Sequence, residues 1–153
     1  MRLCFAFVFV AICSLAASAD GLNSLKLKKS QVPIAVDGVI DPVWSTADSA
    51  DGFIQQQPYY GVPSTRRTVA KVLTTNEALY CLMVCYDQKD SIQVITGRLD
   101  NTDGDFCSII LDTFLDKRTA YQFGVVASGA RADCRMLDDA RNRDYSWDGV
   151  WFA

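Results

Sequence analysis

A chain of 153 residues with 18 acidic and 15 basic side chains, a net charge of −3 and no basic run is poorly suited to nucleic acid or an anionic membrane surface. It contains no histidine, which removes the commonest general base, the Ser-His and Cys-His nucleophile systems and the usual zinc ligand together. Any enzymatic chemistry must therefore rest on carboxylates.

The chain opens with "MRLCFAFVFVAICSLAASA", in which Arg2 precedes an apolar run too short to cross a bilayer and Ala17-Ser18-Ala19 supplies an A-x-A cleavage pattern. Residues 1–19 read as a signal peptide; a lipoprotein reading through Cys13 is weakened by Ile12 before it. The protein is thus expected to be exported, to the periplasm, the outer-membrane surface or the medium, with no membrane span once the leader is removed. Residues 20–32 form a lead-in and 33–153 one modest domain.

Along the mature part the pattern is short strands with frequent turns and no long helical period. "SLKLKKS" alternates, Asp37-Gly38 is a turn, and Asp41 before Pro42 reads as an N-cap with proline at the first helical position, so "DPVWSTA" predicts a turn or two of helix. "GFIQQQ" is extended and "PYYGVPS" a loop. "TRRTVAKVLTT" and "ALYCLMVCYD" flank Asn76-Glu77 as a hairpin. After an irregular crossover, "IQVITGRLDNTDGD", come a buried strand "FCSIILD", an alternating strand "RTAYQFGVVA", a tight turn "SGA" and a strand "RADCRML". "DDARNRDYS" reads as a polar loop before a last strand, "WDGVWFA". Roughly seven to nine strands at this spacing predict an all-β fold, an antiparallel β-sandwich of jelly-roll type.

Removing Cys4 and Cys13 with the leader leaves Cys81, Cys85, Cys107 and Cys134. Cys81 and Cys85 sit four apart on one strand, sharing a face but too far apart to bond each other. Core packing is the favoured role, with a bridge between neighbouring strands as the alternative.

"DGVIDPVW", the Pro-Tyr-Tyr-Gly loop before "TRRTVAKVL", "NEALYCLMVCYD", "GRLDNTDGDFCSIILDTFLDKRTAYQF", "ASGARADC" and "YSWDGVW", in this order, resemble a family 9 carbohydrate-binding module, in the variant found at the N-terminus of exported bacterial proteins. The resemblance covers residue 33 to the end. It implies a sandwich module that binds polysaccharide or oligosaccharide without catalysis, in the service of polysaccharide catabolism, and whose relatives are attached to O-glycosyl hydrolases. Such relatives continue past "WDGVW" with further strands and often a C-terminal barrel region, so the chain is expected to be a fragment whose sandwich is incomplete at its C-terminal edge. Many relatives carry Arg-Arg-Asp where this chain has Arg98-Leu99-Asp100.

Sugar recognition needs an aromatic face for the apolar side of a pyranose and planar groups that match vicinal hydroxyls. Trp147 and Trp151 would share a face of one regular strand. Tyr59 and Tyr60 sit on a loop framed by proline and glycine, and Arg98, Asp100 and Asp103 are the polar candidates. Trp44 is expected to plug the core first and to meet sugar second. Calcium is the one plausible cofactor. An EF-hand reading of "DNTDGD" fails, because with Gly104 as the fixed glycine the first and twelfth ligands fall on Leu99 and Ile110. Asp112 and Asp116, bracketing "DTFLD", are the remaining metal candidates, against turn-forming roles for the same carboxylates. The competing functions are a periplasmic interaction domain of a barrel-type protein without sugar binding, and a glycosidase needing only two acids roughly 5 to 10 Å apart.

Overall fold

The computed structural model describes residues 2–9, 24–97, 99–100 and 102–153. Of the expected leader, Arg2–Phe9 forms strand β1 and residues 10–19 lie outside the described residues, as does Arg98. The chain is all-β, as its alternation predicts, with two sheets that are antiparallel except for one short parallel pair. The sheets belong to two compact units, one running up to Lys89 and including Trp151–Ala153, the other Asp90–Val150.

In the first unit β2 (Lys28–Lys29), β3 (Ser49–Ala50), β4 (Thr68–Thr74) and β5 (Leu79–Tyr86) join β1. The order is β10-β1-β5-β4-β2, with β3 also on β4, and β10 is Trp151–Phe152. The β4–β5 hairpin forms where the sequence places it: Thr75 N–H donates to Ala78 O at 2.9 Å, closing the turn over Asn76-Glu77. Its even-numbered β5 residues point into a core of Ile34, Trp44, Ala47, Leu73, Leu82 and Val84, flanked by Val43, Tyr80 and Tyr86. Trp44 reaches this core from a 3-10 helix, Pro42–Thr46, and is 1 % exposed. Pro42 occupies the first helical turn as predicted, but Asp41 makes no side-chain cap. Its carboxylate instead accepts the Ala35 N–H at 3.4 Å, tying the helix entry back to the preceding extended segment.

The second unit holds β6 (Phe106–Leu111), β7 (Ala120–Val126), β8 (Arg131–Leu137) and β9 (Asn142–Asp144), paired in chain order. Gly124 is needed inside β7 because the Phe106 ring lies across it. A Cβ there would stand 2.1 Å from Phe106 Cζ. Three expectations are corrected by pairing. The "polar loop" contains β9, since Asn142–Asp144 have β8 as a partner. "SLKLKKS" yields only two strand residues, and "WDGVWFA" likewise only Trp151–Phe152. Alternation alone does not make a strand; a partner edge must be present to take its backbone groups.

Cys81 is buried on β5, and desolvation pushes its thiol up to about 12. Cys134 is buried on β8 and its thiol is also raised, chiefly by burial. Both are free thiols, as core packing predicts.

Candidate ligand site

Strand β8 is longer than its neighbour β9, which pairs only with Arg135–Leu137. Upstream, the exposed edge is taken by Asp100, whose N–H donates to Arg131 O at 3.2 Å and whose carboxylate accepts the Asp133 N–H at 3.2 Å. Asp100 adopts a left-handed φ of 64° to do this, a conformation that aspartate tolerates better than most residues. Where β9 departs from β8, a cavity of about 60 Å³ remains, lined by Thr102, Phe106, Gln122, Ala132, Asp133, Cys134, Arg143 and Tyr145.

Register explains why these side chains meet. Gln122 stands opposite Cys134, and Met136 opposite Arg143, so Gln122, Cys134 and Arg143 share one face of the sheet. Gln122 is buried and its amide is fully oriented: Nε2 donates to Ser108 Oγ at 3.1 Å, while Oε1 accepts from Arg143 Nη1 and, at 3.7 Å, from Cys134 Sγ. A buried amide without such partners would be costly, so the network fixes both the flip of Gln122 and the guanidinium of Arg143. Asp133 is buried on the opposite face, where one carboxylate oxygen accepts the Gly149 N–H at 3.3 Å. Tyr145 at the mouth is 52 % exposed.

The sequence candidates are distributed differently from expectation. Asp100 abuts this cavity as the strand-edge cap, whereas Asp103 stays on an exposed stretch of the same crossover. Trp147 packs 4.7 Å from the Tyr121 ring and edge-on to Phe123 at 5.7 Å, with Gly149 so close that a Cβ would come 2.8 Å from the indole. Trp151 is 4 % exposed. The two tryptophans fall in different units and not on one regular strand, so the shared platform expected of them is not formed by strand alternation. Trp44, buried in its own core, offers no face to a ligand. Tyr59 and Tyr60 are exposed, at 66 % and 82 %, on a loop in the first unit whose stem is held by Gln55 N–H to Val62 O at 2.7 Å and Ser64 N–H to Phe53 O at 2.9 Å.

The residues expected to hold calcium turn inward on their own loop. Asp112 accepts the N–H groups of Asp116 and Lys117 at 3.3 and 2.9 Å, and Asp116 accepts those of Arg118 and Thr119, both at 2.7 Å. Those backbone bonds hold the Asp116 carboxyl below its ordinary range. Both carboxylates thus serve as turn-formers on this loop. Among the described residues no cluster of three or more metal-ligating side chains occurs.

A larger groove of about 390 Å³ runs beside Ser30 and Tyr80 in the first unit. Its lining also carries Lys29, Gln31, Asn76 and Glu77, while Ser30 is engaged locally, donating to Val32 O at 2.6 Å and accepting the Val32 N–H. Among the described residues no helix is long and apolar enough to cross a membrane.

Gln122, Asp133, Arg143 and Tyr145 are absent from the sequence candidates. The first two had a usable signal, a polar residue inside an apolar strand, in "AYQFGVV" and "RADCRML". Comparison with known protein families, with curated proteins and with solved structures finds no match for this chain.

Proposed function

We propose that the chain is an exported, noncatalytic carbohydrate-binding module that grips a sugar at the cavity between β8 and β9. The observation that carries the reading is the pairing of an oriented fork, Arg143 on Gln122, with an exposed aromatic, Tyr145, on one small cavity. A planar guanidinium or amide meets two adjacent hydroxyls at once, and an aromatic ring covers the apolar face of a pyranose. The motif order that resembles a family 9 module points the same way. Glycoside hydrolysis is less well supported, because the carboxylates nearest the cavity, Asp133 and Asp100, are each occupied by a backbone N–H. Calcium has no part in this reading.

Affinity electrophoresis of the purified chain through gels containing xylan, β-glucan, galactan or polygalacturonate tests it, with Tyr145→Ala beside the wild type. Retardation by at least one polysaccharide, reduced in Tyr145→Ala while the far-ultraviolet circular dichroism stays native, is expected. A folded wild type that migrates unhindered through every gel would sink the reading. It would leave an interaction domain, for which the exposed Phe53–Val62 loop with Ile54, Tyr59 and Tyr60 is the surface to examine.

A further inference from the structure

Ion pairs join Arg66 with Asp87 at 3.0 Å, Arg67 with Asp51 at 2.6 Å, Arg118 with Asp138 at 3.8 Å and Arg135 with Asp144 at 2.9 Å. Arg143 has none among the described residues. Its guanidinium donates to a neutral amide oxygen, that of Gln122, and also hydrogen-bonds the Cys134 thiol, neither of them a carboxylate. The adjacent aspartate cannot serve it, since consecutive strand residues point to opposite faces and Asp144 is already held by Arg135 and Ser146. A guanidinium has five N–H donors in a fixed fork, so most of Arg143's remain for a ligand.

The cavity beside it also has two hydroxyl-bearing residues, Thr102 and Tyr145, in its lining. Two carboxylates act on the lining through their charge, Asp133 from the opposite face of β8 and Asp100 from its edge, and each accepts a backbone N–H, from Gly149 and Asp133 respectively, so Arg143 is the cation that must outweigh them. A space of about 60 Å³ admits a group of carboxylate size while leaving a sugar ring outside, against Tyr145. Resting on the sugar-binding reading above, we infer that this site selects an acidic sugar, a hexuronate residue of a polysaccharide, with Arg143 forking onto its carboxylate. Long-range charge opposes this encounter, because the chain is net −3. Retention on a polyanion would therefore report the local fork and not the overall field.

The test uses the full chain in polygalacturonate gels and in neutral galactan gels, with free galacturonate, galactose and acetate as competitors, and Arg143→Gln and Arg143→Lys as variants. Galacturonate and galactose differ at one carbon, carboxylate against hydroxymethyl. Galacturonate is expected to release the protein at a concentration about tenfold lower than galactose does, the size of one charge-assisted hydrogen-bond pair. Arg143→Gln should erase that difference, and Arg143→Lys, which keeps the charge but loses the fork, should recover only part of it. Equal potency of the two sugars, or retardation by galactan alone, overturns the acidic-sugar inference while sparing sugar binding. Acetate as potent as galacturonate overturns it in favour of a general anion site. No retardation in either gel overturns the acidic-sugar inference, and the xylan and β-glucan gels then decide the sugar-binding reading. If a variant fails to fold, the wild-type competition decides alone.

Discussion

Trp44 shows how one residue can serve packing where a sugar contact was also conceivable. Its ring fills the space between Ile34, Leu73, Leu82 and Val84, and its carbonyl takes the Lys71 ammonium at 2.9 Å, so both its ends are committed. Truncating a buried tryptophan to alanine removes the transfer free energy and leaves a cavity, typically about 3 to 5 kcal/mol. Trp44→Ala is therefore expected to lower the urea midpoint by most of the margin of a domain with roughly 5 to 15 kcal/mol of stability. A change below about 1 kcal/mol would contradict its place in the core. Asp144 makes a second residue-level prediction. The Ser146 hydroxyl and N–H, then Arg135, bond its carboxylate and hold its pKa below the ordinary value of 3.8. A depressed folded pKa stabilises the native state fully above that unfolded value, and the contribution disappears as pH falls through the lower folded one. The stability gap between wild type and Asp144→Asn should thus be constant near neutrality and close in acid. A gap that persists undiminished through acid would place the interaction elsewhere.

At the scale of elements, legibility followed whether a segment's partners are local. The β4–β5 hairpin and the β6–β7–β8 meander were readable because apolar alternation and the turns Asn76-Glu77 and Ser128-Gly129 lie within the same stretch of chain. β9 was not, since "RNRD" has no apolar alternation and becomes a strand only by bonding β8. For the same reason Arg143, the pivot of the candidate site, was hidden inside an apparent loop, whereas Asp100 in the crossover was visible. Trp147 and Trp151 failed as a pair because a common face requires a continuous strand, and only Trp151–Phe152 is paired. The β8–β9 connection carries a prediction of its own. Asp138, Asp139 and Ala140 have φ of 53°, 58° and 64°, the left-handed region that costs an L-residue roughly 1 to 2 kcal/mol. Aspartate offsets part of this by local bonding, as Asp138 does by accepting from Asn142 Nδ2 at 2.7 Å, but alanine has nothing to offer. Ala140→Gly should raise the unfolding free energy by up to about 1 kcal/mol, and the urea midpoint with it, after the entropy that glycine adds to the unfolded chain. A destabilised variant would show that this turn is not left-handed at Ala140.

For the molecule as a whole, the question is whether a β-protein of this size with four cysteines beyond residue 20 relies on disulfides. Within each unit the geometry opposes them. Cys81 and Cys85 are four residues apart on β5, about 13 Å along a strand, against a limit near 7 Å between bonded Cα atoms. Cys107 on β6 and Cys134 on β8 have β7 between them, hence about 9 to 10 Å of sheet. They also point apart, because Cys107 pairs with Val125 and Cys134 with Gln122, residues on opposite faces of β7. With all four cysteines free, no disulfide is expected to contribute to stability. Urea midpoints with and without reductant should coincide, and Cys81 and Cys134 should resist alkylation near pH 8 until urea exposes them, Cys81 with a thiol pushed up to about 12. A native disulfide lost to the reductant would instead lower stability by about 2 to 5 kcal/mol, a shift too large to miss in a chain of this length.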